Sequence, residues 1–283
     1  MHKPSVRYYQ LQNLIHSILL LAGMFALLSF IGWLLMGVVG VLWSMGIVVF
    51  VVISSRRLSP RFILYLYRGR PLSPQQAPEL YDILYQLARR ASLQYPPKLF
   101  IIPSPIMNAF TIGQNQHTYV ALSNAMLSNM NQREITGVLA HEVAHIHHND
   151  LWVMALADVL SRLTNLLALT GFFLILIYIP LFVLSGQTIP WLLLIILLLS
   201  PNLSALLQLA LSRSREYNAD IEAVNLTGDP HGLASALEKI EHYQGGWVER
   251  ILFPGRKIPD PSLLRTHPLT EERIKRIFAI AGR

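Results

Sequence analysis

Two histidines and a glutamate near the middle of the chain have the spacing of a metal site. Residues 141–145 read His-Glu-Val-Ala-His. On a helix, His141 and His145 lie one turn apart on the same face, where two neutral imidazoles can bind a divalent zinc ion. Glu142 is displaced by one residue, so its carboxylate points to the water that the metal carries. The motif predicts a hydrolytic zinc site with its own general base.

A hydrolytic zinc site takes three protein ligands and leaves a fourth position for water, so the two histidines need a partner. Residues 214–220 read Ser-Arg-Glu-Tyr-Asn-Ala-Asp and place Glu216 four positions before Asp220. On a helix these carboxylates share a face. We expect Glu216 to bind the metal and Asp220 to accept the free N–H of His141. Without the upstream motif, the same carboxylates would be interpreted as a solvated face paired with the neighbouring arginines.

Three further polar residues follow the motif, but on a continuous helix each of them is rotated about the helix axis relative to His145. At about 100° per residue, His147 and His148 are rotated by about 200° and 300° from His145. Neither is predicted to reach the same metal ion. Asp150 is rotated by about 140° from His145 on the same wheel. We therefore assign Asp150 to capping or docking rather than to the site.

The composition predicts a membrane protein. The chain has 283 residues, of which 53% are hydrophobic and 14% are charged, and its mean hydropathy is +0.42. No Asp, Glu, Lys or Arg occurs in residues 8–55 or in residues 163–212. Because one crossing takes about 20 residues, each interval has room for two helices and a tight turn. We predict four transmembrane helices in two hairpins, at about residues 14–55 and 163–211.

The predicted turns of the two hairpins are short and uncharged. The first lies in the glycine-rich residues 32–40, and the second lies in residues 179–190, which contain two prolines. Basic residues flank both hairpins: Lys3, Arg7, Arg56, Arg57, Arg61, Arg68, Arg70, Arg162, Arg213 and Arg215. By the positive-inside rule, both termini and all the polar sequence lie in the cytoplasm.

The net charge of +7 and the pI near 9.8 raise the question of nucleic-acid binding. Most of the basic excess lies next to the predicted spans, where topology and anionic lipid account for it. No basic stripe interleaved with aromatic residues occurs elsewhere, so we expect the lipid bilayer as a partner and no nucleic acid. The chain contains no cysteine. Disulfides are therefore excluded, and a bound metal must be held by histidine and carboxylate.

The polar sequence outside the hairpins predicts one α+β domain with a small sheet. Residues 56–162 and 212–283 remain beside the hairpin segments 1–55 and 163–211, and together they have the length of an ordinary domain. Asn131 is placed to cap the helix that carries the histidines. The pattern of apolar residues, prolines and glycines predicts helices at 78–91, 213–226, from 230 to about 240 and 266–281, strands at 98–102, 107–112 and 117–122, and a loop at 245–261.

Four motifs together resemble one family. They are Asn-Ala-Phe at 108–110, Val-Leu-Ala-His-Glu-Val-Ala-His at 138–145, Ser-Arg-Glu-Tyr-Asn-Ala-Asp at 214–220, and Thr-His-Pro at 266–268 followed by Arg273. With a hairpin on each side of the His-Glu helix, the chain resembles the HtpX-like integral-membrane gluzincin peptidases, which are relatives of the type I CAAX prenyl endopeptidase. The resemblance covers most of the chain. It implies a mainly α membrane protein with a cytoplasmic zincin-like domain.

The resemblance also implies roles for the motif residues. The zinc ligands would be His141, His145 and Glu216, with one Zn²⁺ per chain, and Glu142 would be the general base. Zinc is favoured over another divalent ion by its frequency in such sites.

Four further residues take roles from the same resemblance. Asn108 and Ala109 would belong to the edge strand that binds the substrate backbone, because an extended peptide can add to a sheet edge with little demand on its own sequence. His267 would hold the developing oxyanion, or else it is a surface histidine before a proline. Arg273 would pair with a carboxylate beside the ligands, or else it lies on a solvated face.

The function that follows is zinc-dependent endopeptidase activity on membrane or misfolded proteins at the cytoplasmic face, in membrane protein quality control, in the cytoplasmic membrane of a bacterium. One alternative is a prenyl-protein endopeptidase, but four spans are too few for the large intramembrane chamber of those enzymes. The other alternative is a non-catalytic membrane scaffold stabilised by zinc. An intact Glu142 argues against the scaffold, because a structural site has four closed ligands and needs no base. The oligomeric state is not predicted.

Overall fold

The computed structural model describes the backbone of residues 6–55, 60–186, 188–252 and 270–281. The elements in chain order are α1 (Val6–Ser55), α2 (Pro60–Leu66), β1 (Arg70–Pro71), α3 (Pro78–Arg90), β2 (Lys98–Ile102), β3 (Ala109–Ile112), a 3-10 turn (Asn115–His117), β4 (Tyr119–Ser123), α4 (Asn124–Asn129), α5 (Gln132–His147), α6 (Asp150–Leu184), α7 (Trp191–Thr227), α8 (Pro230–Leu252) and α9 (Thr270–Ala281). They form two compact units, one from residues 1–57 and 152–214 and the other from residues 58–151 and 215–283.

The first unit is made of apolar helices. Among the described residues, three helices are long and apolar enough to cross a membrane: Leu14–Phe50 within α1, α6 and α7. Many of their large apolar side chains are exposed, including Trp43, Ile177 and Leu184. Exposed apolar surface of this extent is expected where lipid is the solvent. The protein is therefore an integral membrane protein, and the part that the structure describes is mostly helical with a small mixed sheet.

Helix α1 is interrupted at Gly37, where the chain reverses direction. Gly37 has φ 61° and ψ −145°, a conformation that residues with a Cβ rarely adopt. A Cβ added to Gly40 would collide with the carbonyl group of Gly32. Residues eight positions apart on a straight helix would be about 12 Å apart. The segments before and after Gly37 therefore pack against each other, and the reversal lies inside the predicted turn.

Helices α6 and α7 form the second apolar hairpin. Ala168 and Ile175 of α6 pack in one cluster with Leu197 of α7. Nearer the other end of the hairpin, Leu160 packs in a cluster with Leu211. Both helices extend beyond the predicted hairpin, since α6 begins at Asp150 and α7 continues to Thr227.

The predicted helix at residues 213–226 is confirmed, and it is the last part of α7, which continues from the second hairpin to Thr227. The sequence changes from apolar to charged residues at Arg213, which indicates a change from apolar to polar surroundings. No proline or glycine lies between Leu211 and Glu216, so this segment contains no residue that would end the helix.

The second unit contains a four-stranded sheet in the order β1-β2-β4-β3. Strands β2 and β4 are parallel, and the outer pairs β1–β2 and β3–β4 are antiparallel. Every residue of β4 is buried, as expected for a central strand that is covered on both faces. The three predicted strands are present, with β2 at its predicted bounds. Strand β1 has only two residues and was not predicted.

Helix α5 passes through the core of this unit and carries the His-Glu motif. Asn131 caps it in a reciprocal pair with Glu134, each side chain accepting a hydrogen bond of 2.9 Å from the other residue's backbone N–H. Leu139 and Val143 are fully buried against neighbouring helices and strands. Gly137 allows close contact with α8, because a Cβ there would lie 2.9 Å from the Cα of Leu233. The motif is thus held on a rigid, buried helix.

The predicted loop at residues 245–261 was wrong in its first part. Helix α8 continues to Leu252, through Gly245 and Gly246. Two adjacent glycines weaken a helix without ending it when no proline follows directly. The rest of the predicted loop lies outside the described residues.

Candidate metal centre

Helices α5 and α7 bring three ligand atoms to one point. His141 and His145 lie one turn apart on α5, and their Nε2 atoms are 3.1 Å from each other. Glu216 of α7 places Oε2 3.5 Å from Nε2 of His141 and Oε1 3.7 Å from Nε2 of His145. Ligand atoms about 2.0–2.1 Å from a tetrahedral zinc ion are roughly 3.3–3.4 Å apart. The three side chains therefore fit a divalent metal ion of this size.

A proton competes with a metal ion for the imidazole of His141, because negative charges surround it. Burial lowers the pKa of its imidazole, but hydrogen bonds and charge from Asp220 and Glu216 outweigh burial and raise the pKa to about 10. Without a metal, the imidazolium form neutralises part of the negative charge between the two carboxylates. A metal ion binds the neutral imidazole, so it must displace this proton.

Asp220 lies behind His141. Its Oδ1 is 3.0 Å from Nδ1 of His141, the ring nitrogen that faces away from the ligand cluster. Arg273 of α9 donates two hydrogen bonds to the carboxylate of Asp220, of 2.7 and 2.6 Å. The same guanidinium places Nη1 3.2 Å from Oε2 of Glu216. Arg273 is only 6% exposed, which rules out the alternative of a solvated face.

Asp150 lies behind His145 in the same way, which corrects its assignment to capping or docking. Its Oδ2 is 2.9 Å from Nδ1 of His145, and its Oδ1 accepts a hydrogen bond of 2.7 Å from Arg215. The rotation argument failed because α5 ends at His147 and Asn149 has φ 55°. Asp150 starts α6, so the wheel of α5 does not apply to it. An asparagine just beyond the motif was the available signal, since asparagine often ends a helix in this conformation.

Glu142 is buried beside the cluster and has a partner that the sequence did not indicate. It is 7% exposed, and its Oε2 accepts a hydrogen bond of 2.6 Å from the hydroxyl of Thr111. Thr111 lies on β3, 31 positions before Glu142. A single threonine in a short strand carries no pattern from which this contact could be predicted.

Asn108 and Ala109 lie at the beginning of the edge strand. The backbone C=O of Asn108 accepts a hydrogen bond of 2.9 Å from the N–H of Ser123, and its N–H donates to the Ser123 hydroxyl. Ala109 starts β3, which has β4 on one side and, in the part of the chain that the structure describes, no strand on the other. This open edge lies in the same unit as the ligand cluster.

The other histidines lie apart from the ligands. His147 and His148 contact each other, with ring centroids 5.2 Å apart, and neither belongs to the group of ligand atoms among the described residues. His231 packs against Phe278. His267 lies outside the described residues, so its predicted role stays a prediction.

The relatives of the chain identify its family. Residues 74–281 match the family model described as peptidase family M48. The chain belongs to that family. The protein named Protease HtpX homolog from Pyrococcus abyssi is 36% identical, and the alignment covers 93% of this chain and 94% of the relative. The protein of the same name from Desulfatibacillum aliphaticivorans is 34% identical, with 94% and 89% covered.

A solved structure supports the fold. The crystal structure of S. mikatae Ste24p is similar with a TM-score of 0.56 and 22% identity, and the match covers 96% of this chain and 66% of that one. At this identity the similarity shows the fold alone. Family membership makes the protein an HtpX-like M48 membrane metallopeptidase, so the predicted family and enzyme class are confirmed.

Proposed function

We propose that this M48 peptidase hydrolyses peptide bonds with one zinc ion bound by His141, His145 and Glu216. The observation that carries the proposal is the convergence of the two Nε2 atoms, 3.1 Å apart, with the carboxylate of Glu216, whose oxygens lie 3.5 and 3.7 Å from them. The buried Glu142 follows His141 directly on the same helix. Zinc suits this set because two imidazoles and one carboxylate leave a fourth position for water or substrate. The bound ion would polarise the scissile carbonyl and lower the pKa of its water to near 7.

The remaining roles belong to residues of the chain. Glu142 takes the proton of the attacking water and passes it to the leaving amine. Asp220 and Asp150 each accept the Nδ1 hydrogen of one ligand imidazole, which fixes its tautomer and directs the Nε2 lone pair to the metal. Arg273 holds Asp220 and Glu216 in place. His267 supplies a hydrogen bond to the developing oxyanion, a role supported by the resemblance of the Thr-His-Pro segment.

Protein substrates would bind by adding a strand to β3. The open edge of β3 begins at Asn108 and Ala109, and main-chain hydrogen bonds to such an edge tolerate many side chains. This tolerance suits an endopeptidase that removes misfolded or unassembled membrane proteins. We therefore assign the enzyme to membrane protein quality control.

The membrane part would consist of four crossings in two hairpins. The reversal at Gly37 supports two crossings within α1, because the 18 residues from 38 to 55 give a helix of about 27 Å, close to the hydrocarbon thickness of about 30 Å. The basic flanks of both hairpins support a cytoplasmic site and cytoplasmic termini in a bacterial inner membrane. The hairpins would occupy residues 1–55 and 163–211, and the peptidase domain residues 56–162 and 212–283.

The mechanism is tested with purified full-length protein in detergent. Zinc content and cleavage of an unfolded protein are measured for the wild type and for Glu142→Gln, with the exposed Glu238→Gln as matched control. We expect one zinc per chain in all three proteins and loss of cleavage only in Glu142→Gln. A Glu142→Gln protein that keeps zinc and cleaves at the wild-type rate would refute the mechanism. Cleavage of a prenylated peptide but not of unfolded protein would refute the substrate class.

Orientation is tested separately in cells. A reporter that is active only in the cytoplasm is fused after Arg283, and a second reporter that is active only outside is fused at the same place. Activity of the second reporter would overturn the proposed topology without affecting the mechanism.

A further inference from the structure

The hydroxyl of Thr111 donates a hydrogen bond to the carboxylate of Glu142. Thr111 is 6% exposed and Glu142 is 7% exposed, and the distance between Oγ1 and Oε2 is 2.6 Å. A hydroxyl donating to a carboxylate at this distance is a strong, charge-assisted bond. Packing alone would be satisfied there by valine, which has the same shape as threonine and no donor. The hydroxyl of Thr111 is therefore needed for the hydrogen bond to Glu142 and not for filling the core.

The backbone of Thr111 faces the opposite way, to the open edge of the sheet. Residues of an antiparallel strand alternate between those whose N–H and C=O face the partner strand and those whose groups face away. Asn108 faces β4, because its C=O accepts from Ser123. Phe110 and Ile112 follow it at even spacing and also face β4. The N–H and C=O of Ala109 and Thr111 point to the free edge.

The two observations meet in one residue. A peptide strand that adds to β3 would hydrogen bond to the backbone of Thr111, while the side chain of Thr111 donates to Oε2 of Glu142. The bond restricts rotation of the carboxylate of Glu142. It also ties the position of that carboxylate to the position of the strand on which substrate is aligned.

We propose that Thr111 is a positioning residue that aligns the general base Glu142 with substrate bound at the edge of β3. The proposal rests on the proposed function, since it takes Glu142 as the base. Thr111 takes no part in proton transfer. Its contribution is the orientation of the carboxylate, which is needed for turnover and not for binding the metal or the peptide.

The test compares Thr111→Val with Thr111→Ser in the full-length protein, using steady-state cleavage of one fluorogenic peptide. Valine removes the hydroxyl and keeps the shape, whereas serine keeps the hydroxyl. We expect valine to lower kcat roughly 10- to 100-fold, the range for losing a hydrogen bond to a charged group, with KM within about 2-fold. Serine should restore most of the wild-type kcat. Zinc content should be one per chain in both.

Thr118→Val is the matched control. Thr118 is also buried at this end of the sheet, but its hydroxyl donates to the backbone C=O of Asn115, 2.9 Å away. Its loss should leave kcat unchanged. A second comparison adds Thr111→Val to Glu142→Gln, where the valine should change the residual kcat by less than about 2-fold because the general base that Thr111 orients is already gone.

The outcomes separate the inference from the proposed function. Wild-type kcat in Thr111→Val, equal losses in the valine and serine variants, or loss of zinc from Thr111→Val would each overturn the positioning role and leave Glu142 as the base. Wild-type cleavage by Glu142→Gln would overturn the proposed mechanism, and the role of Thr111 with it.

Discussion

Replacing Asp150 with asparagine tests whether the carboxylate behind His145 tunes the metal site. The substitution keeps the shape of the side chain and removes its charge. Asp150 has two contacts, with Nδ1 of His145 at 2.9 Å and with Arg215 at 2.7 Å, and it is 1% exposed. Removing such a partner of a ligand histidine costs about 10- to 100-fold in metal affinity. At about 1.4 kcal/mol per factor of ten, this is about 1.4–2.8 kcal/mol.

A second effect of the same substitution falls on stability. Arg215 is 8% exposed, so it would keep its buried charge while losing the opposite charge of Asp150. Removing one partner of a buried ion pair destabilises a protein by about 3–5 kcal/mol, and the amide oxygen of asparagine offsets part of this. We therefore expect a lower melting midpoint of the metal-free protein in addition to weaker zinc binding.

The assay is competition for zinc with a chelator at fixed pH, using full-length protein in detergent. Asp158→Asn is the matched control, because Asp158 lies on the same helix but pairs with Arg162 on an exposed surface. The control should bind zinc like the wild type. A zinc dissociation constant for Asp150→Asn within about 2-fold of the wild-type value would refute the reasoning, since the expected change starts at about 10-fold.

Three other predictions use different parts of the molecule. Glu216→Ala should lose stoichiometric zinc, and elemental analysis that still finds one zinc per chain would remove Glu216 from the ligand set. Burial raises the pKa of Glu134, but hydrogen bonds from Lys239, Ser235 and Asn131 outweigh it and hold the pKa below its ordinary value. The free energy of unfolding should therefore fall as the pH drops below about 4.5, and chemical denaturation should show a weaker fall in Glu134→Gln. Gly40→Leu should lower the melting midpoint, because the larger side chain overpacks the contact with Gly32 at a cost of about 1–3 kcal/mol. The control Gly46→Leu should leave the midpoint unchanged, since a Cβ at Gly46 meets open space. Equal midpoints in the two variants would contradict the close packing.

The predictable parts of the fold are those with strong local signals. Charge-free runs of about 50 residues predicted the apolar hairpins, and glycines in residues 32–40 predicted the reversal that occurs at Gly37. Prolines and the polar segment between β3 and β4 outlined the strands. The end of the second hairpin was not predictable in this way, because hydropathy changes at Arg213 while the helix continues to Thr227.

The residues of the site also divide into those that a local pattern predicts and those that it does not. The spacing of His141, Glu142 and His145 on one helix is a property of the sequence, and the structure places Glu216 beside them. Asp150 was misassigned because the rotation of one helix was applied beyond its end. Thr111 reaches Glu142 only through the pairing of β3 with β4 and the packing of α5, and such long-range contacts leave no mark in the local pattern.

The contacts of Arg273 join parts of the site that are synthesised at different times. His145 and Glu216 are separated by 71 positions, and Arg273, which contacts Asp220 and Glu216, lies 57 positions beyond Glu216. A growing chain on the ribosome therefore carries Glu142 and the two histidines before it carries Glu216 and the arginine that contacts it. Until Arg273 has been added, Asp220 and Glu216 lack the buried guanidinium that contacts both carboxylates in the folded protein.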